Sequence, residues 1–461
     1  MSPTGSLLSL PSPSRQKRRP SSLHTVTLED GESELLRRGS SVEGHIGLIN
    51  SKNQDGGWSS RGRGCGVDRH LMMEALPTLI LAVGGLLMAG WILDVVQHWE
   101  VFSKISELFI LVPVVLGLKG NLEMNLAARL STAANLGELD DQASRRSMIL
   151  GNLALIQLQS LSVGGLAGLL SFLLGLLFHG HHHVVGEVAM MMVTAMSCAS
   201  LSSFILGSFM CSLCVLSRRW GINPDNVASP IASSLGDLVT LILLAGVSRH
   251  LLEWINHPLI WVLLFLHIAA IPLWLRYCLS HSYTRSTIPY GWIPVMAAMV
   301  ISSMAGLVLE RFVERYAGMA VLVPVLNGIS QNIACIFCSR LSTALHSGVP
   351  ETEGRTIFTL LLLNLPSQWL FLLLVKALGL GHGSLDWRMW VAYTFVSYTL
   401  VVGLLGLARW LTSFLWHRNF DPDHYALPYL TAMGDVMGTI FLVLSYVLLE
   451  GDGSNNPVPK G

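Results

Sequence analysis

The chain is punctuated by apolar runs that approach the roughly 20 residues a helix needs to cross about 30 Å of hydrocarbon. No other sequence feature limits the possible folds as severely. In lipid every backbone N–H and C=O must be satisfied internally, which leaves helices or closed barrels. The runs fall near 75–93, 107–128, 150–178, 187–216, 228–248, 258–275, 291–309, 319–339, 356–380, 389–408 and 426–448. They predict an all-α polytopic membrane protein with about eleven transmembrane helices. Composition agrees: 51% of residues are hydrophobic and 13% charged, against about 25% charged in a soluble domain.

Charge sets the expected orientation. With the N-terminus cytoplasmic, 21 of the 29 Lys and Arg fall on that side, 7 on the other, and Lys119 within a span, as the positive-inside rule requires. A net charge of zero gives no reason to expect a nucleic-acid partner. The seven cysteines sit mostly inside apolar runs, so the CxxC pairs at Cys211–Cys214 and Cys335–Cys338 read as packing residues. Residues 1–70 are rich in Ser, Gly and Arg and lack apolar periodicity, which predicts a disordered tail. Within it, Ser22 and Ser41 follow paired arginines, a setting for basophilic kinases or simply a solvated basic tail.

Two matches reveal an internal duplication. "PVVLGLKGNLEMNLAARLSTA" from Pro113 returns as "PVLNGISQNIACIFCSRLSTA" from Pro324, an offset of 211. "NPDNVASPIASSLGD" from Asn223 returns as "DPDHYALPYLTAMGD" from Asp421, an offset of 198. The expected organisation is a tail (1–70), a first five-helix repeat (71–256), a bridging span (257–280), a second repeat (281–450) and a short C-terminal tail (451–461). The extra span restores the orientation that five helices would invert. The repeats are therefore expected to be parallel, related by an axis along the membrane normal.

Each second match carries an aspartate inside an apolar helix, Asp237 and Asp435. A charge at that depth costs about 2.5–3.5 kcal/mol on insertion scales. Pro230 is expected in the first helical turn, with Asp237 roughly 10 Å deeper. Ser233, Ser234 and Thr240 share its face, as Thr431 shares that of Asp435. Near-axial symmetry would set the two carboxylates facing one another, where they repel unless a cation or proton lies between them. Neither helix offers a lysine or arginine at that depth. Carboxylates and hydroxyls suit hard ions, and a wide hydrated site with few carboxylates suits magnesium best. Asp225 and Asp423 form a second candidate pair at the cytoplasmic mouth, or cap their helices. Asn121 and Asn332 lie in the other matched stretch. Glycines there could break the helix and free these amides for a hydrated ion, or the amides could serve as interhelical glue. Lys119 and Glu123, at i and i+4, are expected to neutralise each other. Their counterparts are Ser330 and Ala334, which leaves Glu123 a minor candidate. The histidine run from His179 reads as a loop, or as a metal-collecting vestibule.

These quoted motifs resemble the animal solute carrier family 41, whose members are similar to a duplicated membrane domain of the bacterial magnesium channel MgtE. The resemblance covers roughly 75–450. It implies a magnesium pathway on the pseudo-twofold axis, lined by Asp237 and Asp435, with magnesium as cargo and no resident cofactor. It implies further that two repeats in one chain could build a pore alone, as a channel or a sodium-coupled exchanger, among lipids of the plasma membrane or the mitochondrial inner membrane. MgtE's cytoplasmic sensing domains have no counterpart here. The alternatives are a proton-coupled divalent-cation carrier, and a membrane scaffold that transports nothing. Enzymatic activity is not expected, because no nucleophile–base pair or catalytic motif stands out.

Overall fold

The computed structural model describes residues 66–135, 141–179, 185–219, 224–285, 288, 292–316, 318–347, 352–380, 386–418, 420 and 422–451. For some of these, only the backbone is described. The serines of the tail and the histidine run beyond its first residue lie outside them. All the regular structure described is helical. The long helices are α1 (Arg69–Val96), α3 (Leu108–Asn135), α4 (Gln142–His179), α5 (Val185–Arg219), α6 (Pro224–Leu252), α7 (Leu259–Ser280), α9 (Trp292–Phe312), α10 (Met319–Ser347), α11 (Glu353–Leu378), α12 (Trp387–His417) and α13 (Pro422–Gly451). Two short helices, α2 (Glu100–Lys104) and α8 (Ser282–Arg285), join them.

Every expected span falls on one of these helices. Ten are long and apolar enough to cross a membrane among the described residues; the remaining one is α3, which carries Lys119 and Glu123. Large apolar side chains face outward, among them Phe265, Leu273, Phe395 and Leu448, as lipid contact demands. α7 is the barest, with only Ile260, Leu264 and Cys278 buried. It packs on α4 and α5, where Ser197 and His267 Nε2 share a hydrogen bond of 3.0 Å.

The matched halves interlock. Within each, the last helix packs on the first: α6 on α1, and α13 on α9. Between them, each first helix crosses to the other half's second: α1 packs on α10, and α9 on α3. Small residues permit the crossings. A Cβ on Gly90 would stand 2.7 Å from the Val321 carbonyl oxygen, and one on Gly306 would stand 2.6 Å from Ile110 Cα. Ile110 and Val321 are equivalent at the offset of 211, while "MAG" recurs at 88–90 and 304–306. The same contact is thus made twice. The start of α1 is also tied across: Asp68 N–H donates to Thr359 Oγ1 at 2.9 Å, and Arg355 donates to the Val67 carbonyl at 2.9 Å.

Two local expectations need correcting. α3 runs unbroken through Gly117 and Gly120, because at membrane depth a continuous helix satisfies its backbone N–H and C=O groups internally. α6 starts at Pro224 rather than near Pro230, and α13 at Pro422. Proline is pre-organised for the first helical position and has no N–H to leave unpaired. Asp225 and Asp423 therefore stand second in their helices, past the capping position, where an acid favours the helix dipole. Their side chains lie outside the described residues, as do those of Ser233 and Ser234.

Candidate functional site

Starting at Pro224 and Pro422 puts Asp237 and Asp435 at the same depth, each near mid-helix, roughly 20 Å from the helix start. Both carboxylates line one cavity of about 110 Å³ between the halves, with Glu123, Asn327, Gln331, Asn332 and Thr431. That is room for several waters, since one requires on the order of 10–15 Å³. Equivalent residues line it in pairs: Pro113 and Pro324, Gly117 and Gly328, Leu93 and Leu309, Val112 and Val323. The last two pairs make the lining apolar near the C-terminal ends of α1 and α9.

The two aspartates are held differently. Asp435 is tethered: Gln331 Nε2 donates to Oδ1 at 2.7 Å, and Ser302 Oγ donates to Oδ2 at 3.2 Å. Gln331 Nε2 also reaches the Thr431 carbonyl at 3.0 Å. Asn327 Nδ2 contacts the Asp435 carbonyl at 3.4 Å. Among the described residues no hydrogen bond reaches the Asp237 carboxylate. The charges that bear on it are Asp435 and Glu123. Glu123 pairs through Oε1 with Lys119, both side chains being 2% exposed. Its other oxygen, Oε2, stands 3.1 Å from where a Cβ on Gly236 would be. Gly434, the equivalent of Gly236, has Gln331 in that place, with Cγ 2.6 Å from the would-be Cβ. An amide thus supports one aspartate, and a paired carboxylate adjoins the other.

The asparagines divide. Asn121 is buried, and its Oδ1 accepts from Thr431 Oγ1 at 3.3 Å, so it joins the halves as glue. Asn332 reaches the cavity. The CxxC cysteines pack as expected, with Cys211, Cys214 and Cys338 buried and Cys335 partly so. Sequence reasoning missed Ser302, Asn327 and Gln331. Their counterparts are Leu86, Leu116 and Gly120, so a search for matched polar residues passes over them.

Helices of this length and apolarity, wrapped around carboxylates buried between two matched halves, define a multi-pass integral membrane protein. The MgtE family, described as divalent cation transporters, matches the chain twice, over residues 112–247 and 323–445. Human solute carrier family 41 member 2 is 40% identical over 407 residues, covering 82% of this chain and 70% of its own length. Mouse member 3 is 36% identical, covering 88% of each. Magnesium transporter MgtE of Thermus thermophilus is 30% identical over 164 residues, 35% of this chain and 33% of its own. No solved structure matches. The chain belongs to solute carrier family 41, within the MgtE family of divalent cation transporters. An assignment to member 3 is not favoured by the comparisons, because members 2 and 3 both match.

Proposed function

We propose that the protein carries magnesium across its membrane along the pseudo-twofold axis, with Asp237 and Asp435 holding the ion in transit. The observation that carries this reading is that two equivalent helices deliver their single mid-helix carboxylates to one cavity. Two like charges in low dielectric repel, and a cation between them turns that repulsion into attraction. Among the described residues no group of three His, Cys, Asp or Glu side chains is placed to grip a bare ion. A loose cavity with few carboxylates favours an ion that keeps its water, as magnesium does. Asn332 supports the water shell in this reading, and Asp225 and Asp423 collect ions at the cytoplasmic mouth. The pathway works as a channel or as a sodium-coupled exchanger, and one chain forms the whole of it.

Purified protein in liposomes containing a magnesium-sensitive dye tests the reading. Magnesium should enter without a proton gradient and fall sharply in Asp237→Asn and Asp435→Asn, and a response to a sodium gradient separates an exchanger from a channel. A requirement for a proton gradient would favour a proton-coupled carrier, in which the aspartates are protonation sites. Normal flux in both variants, correctly folded, would remove the proposed site and favour a scaffold.

A further inference from the structure

The Lys119–Glu123 pair has no counterpart in the second half, where Ser330 and Ala334 stand. Burying a lysine and a glutamate at membrane depth is costly even when they pair, and packing alone does not require it. Their placement distinguishes them from glue. Glu123 lines the cavity and Lys119 does not. Lys119 holds Glu123 by Oε1, while Oε2 lies against Gly236, next to Asp237. Any side chain at Gly236 would fill the gap between Glu123 and the aspartate helix. Cys198 of α5 also lies near enough to Lys119 to bear on its charge.

We infer that Lys119 is a tethered counter-charge that sets the valence of the cation site, with Glu123 Oε2 as a third carboxylate oxygen reached through the ion's water. This rests on the reading that Asp237 and Asp435 bind the ion. With the pair intact, Lys119 cancels Glu123 and the two aspartates leave a net charge of minus two, matched to one divalent cation. Without Lys119 the same cavity carries three negative charges. It would then hold a divalent ion too tightly to release and would accept a trivalent one. Conduction needs binding strong enough to enter and weak enough to leave, and Lys119 supplies the second condition.

Three variants of the full-length protein in liposomes test this: Lys119→Met, Glu123→Gln and the double variant. Magnesium flux is read against magnesium concentration, with and without lanthanum as a trivalent competitor. Lys119→Met should lower the half-saturating magnesium concentration at least about tenfold, slow maximal flux, and sharpen lanthanum block by a similar factor. Glu123→Gln should raise the half-saturating concentration, and the double variant, again at minus two, should return toward the wild-type value. A purely structural ion pair predicts instead that both single variants lose folded protein, with half-saturation and lanthanum block unchanged in what remains. Magnesium-dependent thermal stabilisation of the detergent-purified variants gives the same reading where flux is too low, since a tighter site raises Tm more at a given magnesium concentration. Unchanged half-saturation and block in Lys119→Met, with Asp237→Asn inactive, would overturn this inference and leave the aspartate site standing. Full activity in Asp237→Asn as well would remove both.

Discussion

The two halves of the molecule repeat a helix arrangement but treat their aspartates in opposite ways. Asp435 sits among donors from its own half, Ser302 on α9 and Gln331 on α10, so its negative charge is largely answered by the protein. Asp237 sits beside Glu123, and its charge is answered by nothing among the described residues. Duplication within one chain makes this possible. A dimer of identical units must place the same residue on both sides of its axis, whereas fused copies are free to differ. Where Gln331 fills the space over Gly434, Glu123 approaches Gly236. The site is thereby polarised, one wall fixed and one wall still requiring a positive partner.

That contrast can be broken in several places. The largest effect is expected at the aspartates. Asp237→Asn should cut magnesium flux in liposomes by at least about a hundredfold, the equivalent of roughly 3 kcal/mol of lost ion stabilisation. Asp435→Asn should cost less, because Ser302 and Gln331 already share its charge. Equal losses would mean that the tether does not matter. Gly90→Leu and Gly306→Leu probe the feature the halves share. Each overpacks an equivalent crossing and should destabilise by about 1–3 kcal/mol, seen as equal falls in Tm. A large inequality would show that the crossings are not equivalent. Gln331→Leu removes a donor to a charged group, worth about 1.5–3 kcal/mol in general but nearer 1 kcal/mol between membrane helices. It should lower Tm without magnesium and recover part of the loss when magnesium is added, because an ion can replace the donor. No recovery would mean that Asp435 does not meet the ion. The smallest effect is expected from His267→Ala, which cuts the hydrogen bond from α7 to Ser197. About 0.6 kcal/mol of stability and unchanged flux would mark α7 as a peripheral strut of the first half alone.

Much of the fold is legible in the order of residues alone. Apolar run length locates every long helix, since hydrocarbon thickness imposes it. The matched aspartates stand out because a lone acid in an apolar run is conspicuous and the duplication presents it twice. Helix starts are less legible: Asp225 and Asp423 read as possible caps and prove to lie in first turns that begin at Pro224 and Pro422. The tethers are not legible at all. Ser302, Asn327 and Gln331 are ordinary polar residues in three separate positions, and only packing brings α9, α10 and α13 together around Asp435.

The sequence by itself determined that the chain spans a membrane, that it is duplicated, and that each copy sets an aspartate in the middle of an apolar helix. Those conclusions rest on local costs that any apolar environment imposes on a backbone or a charge. Tertiary structure alone decided that α1 and α9 exchange partners through Gly90 and Gly306, and that both aspartates share one cavity. It also decided that Asp435 is tethered while Asp237 adjoins a lysine-paired glutamate. Distance through space sets these interactions, and residues brought within a few ångströms here lie up to 310 positions apart in the chain.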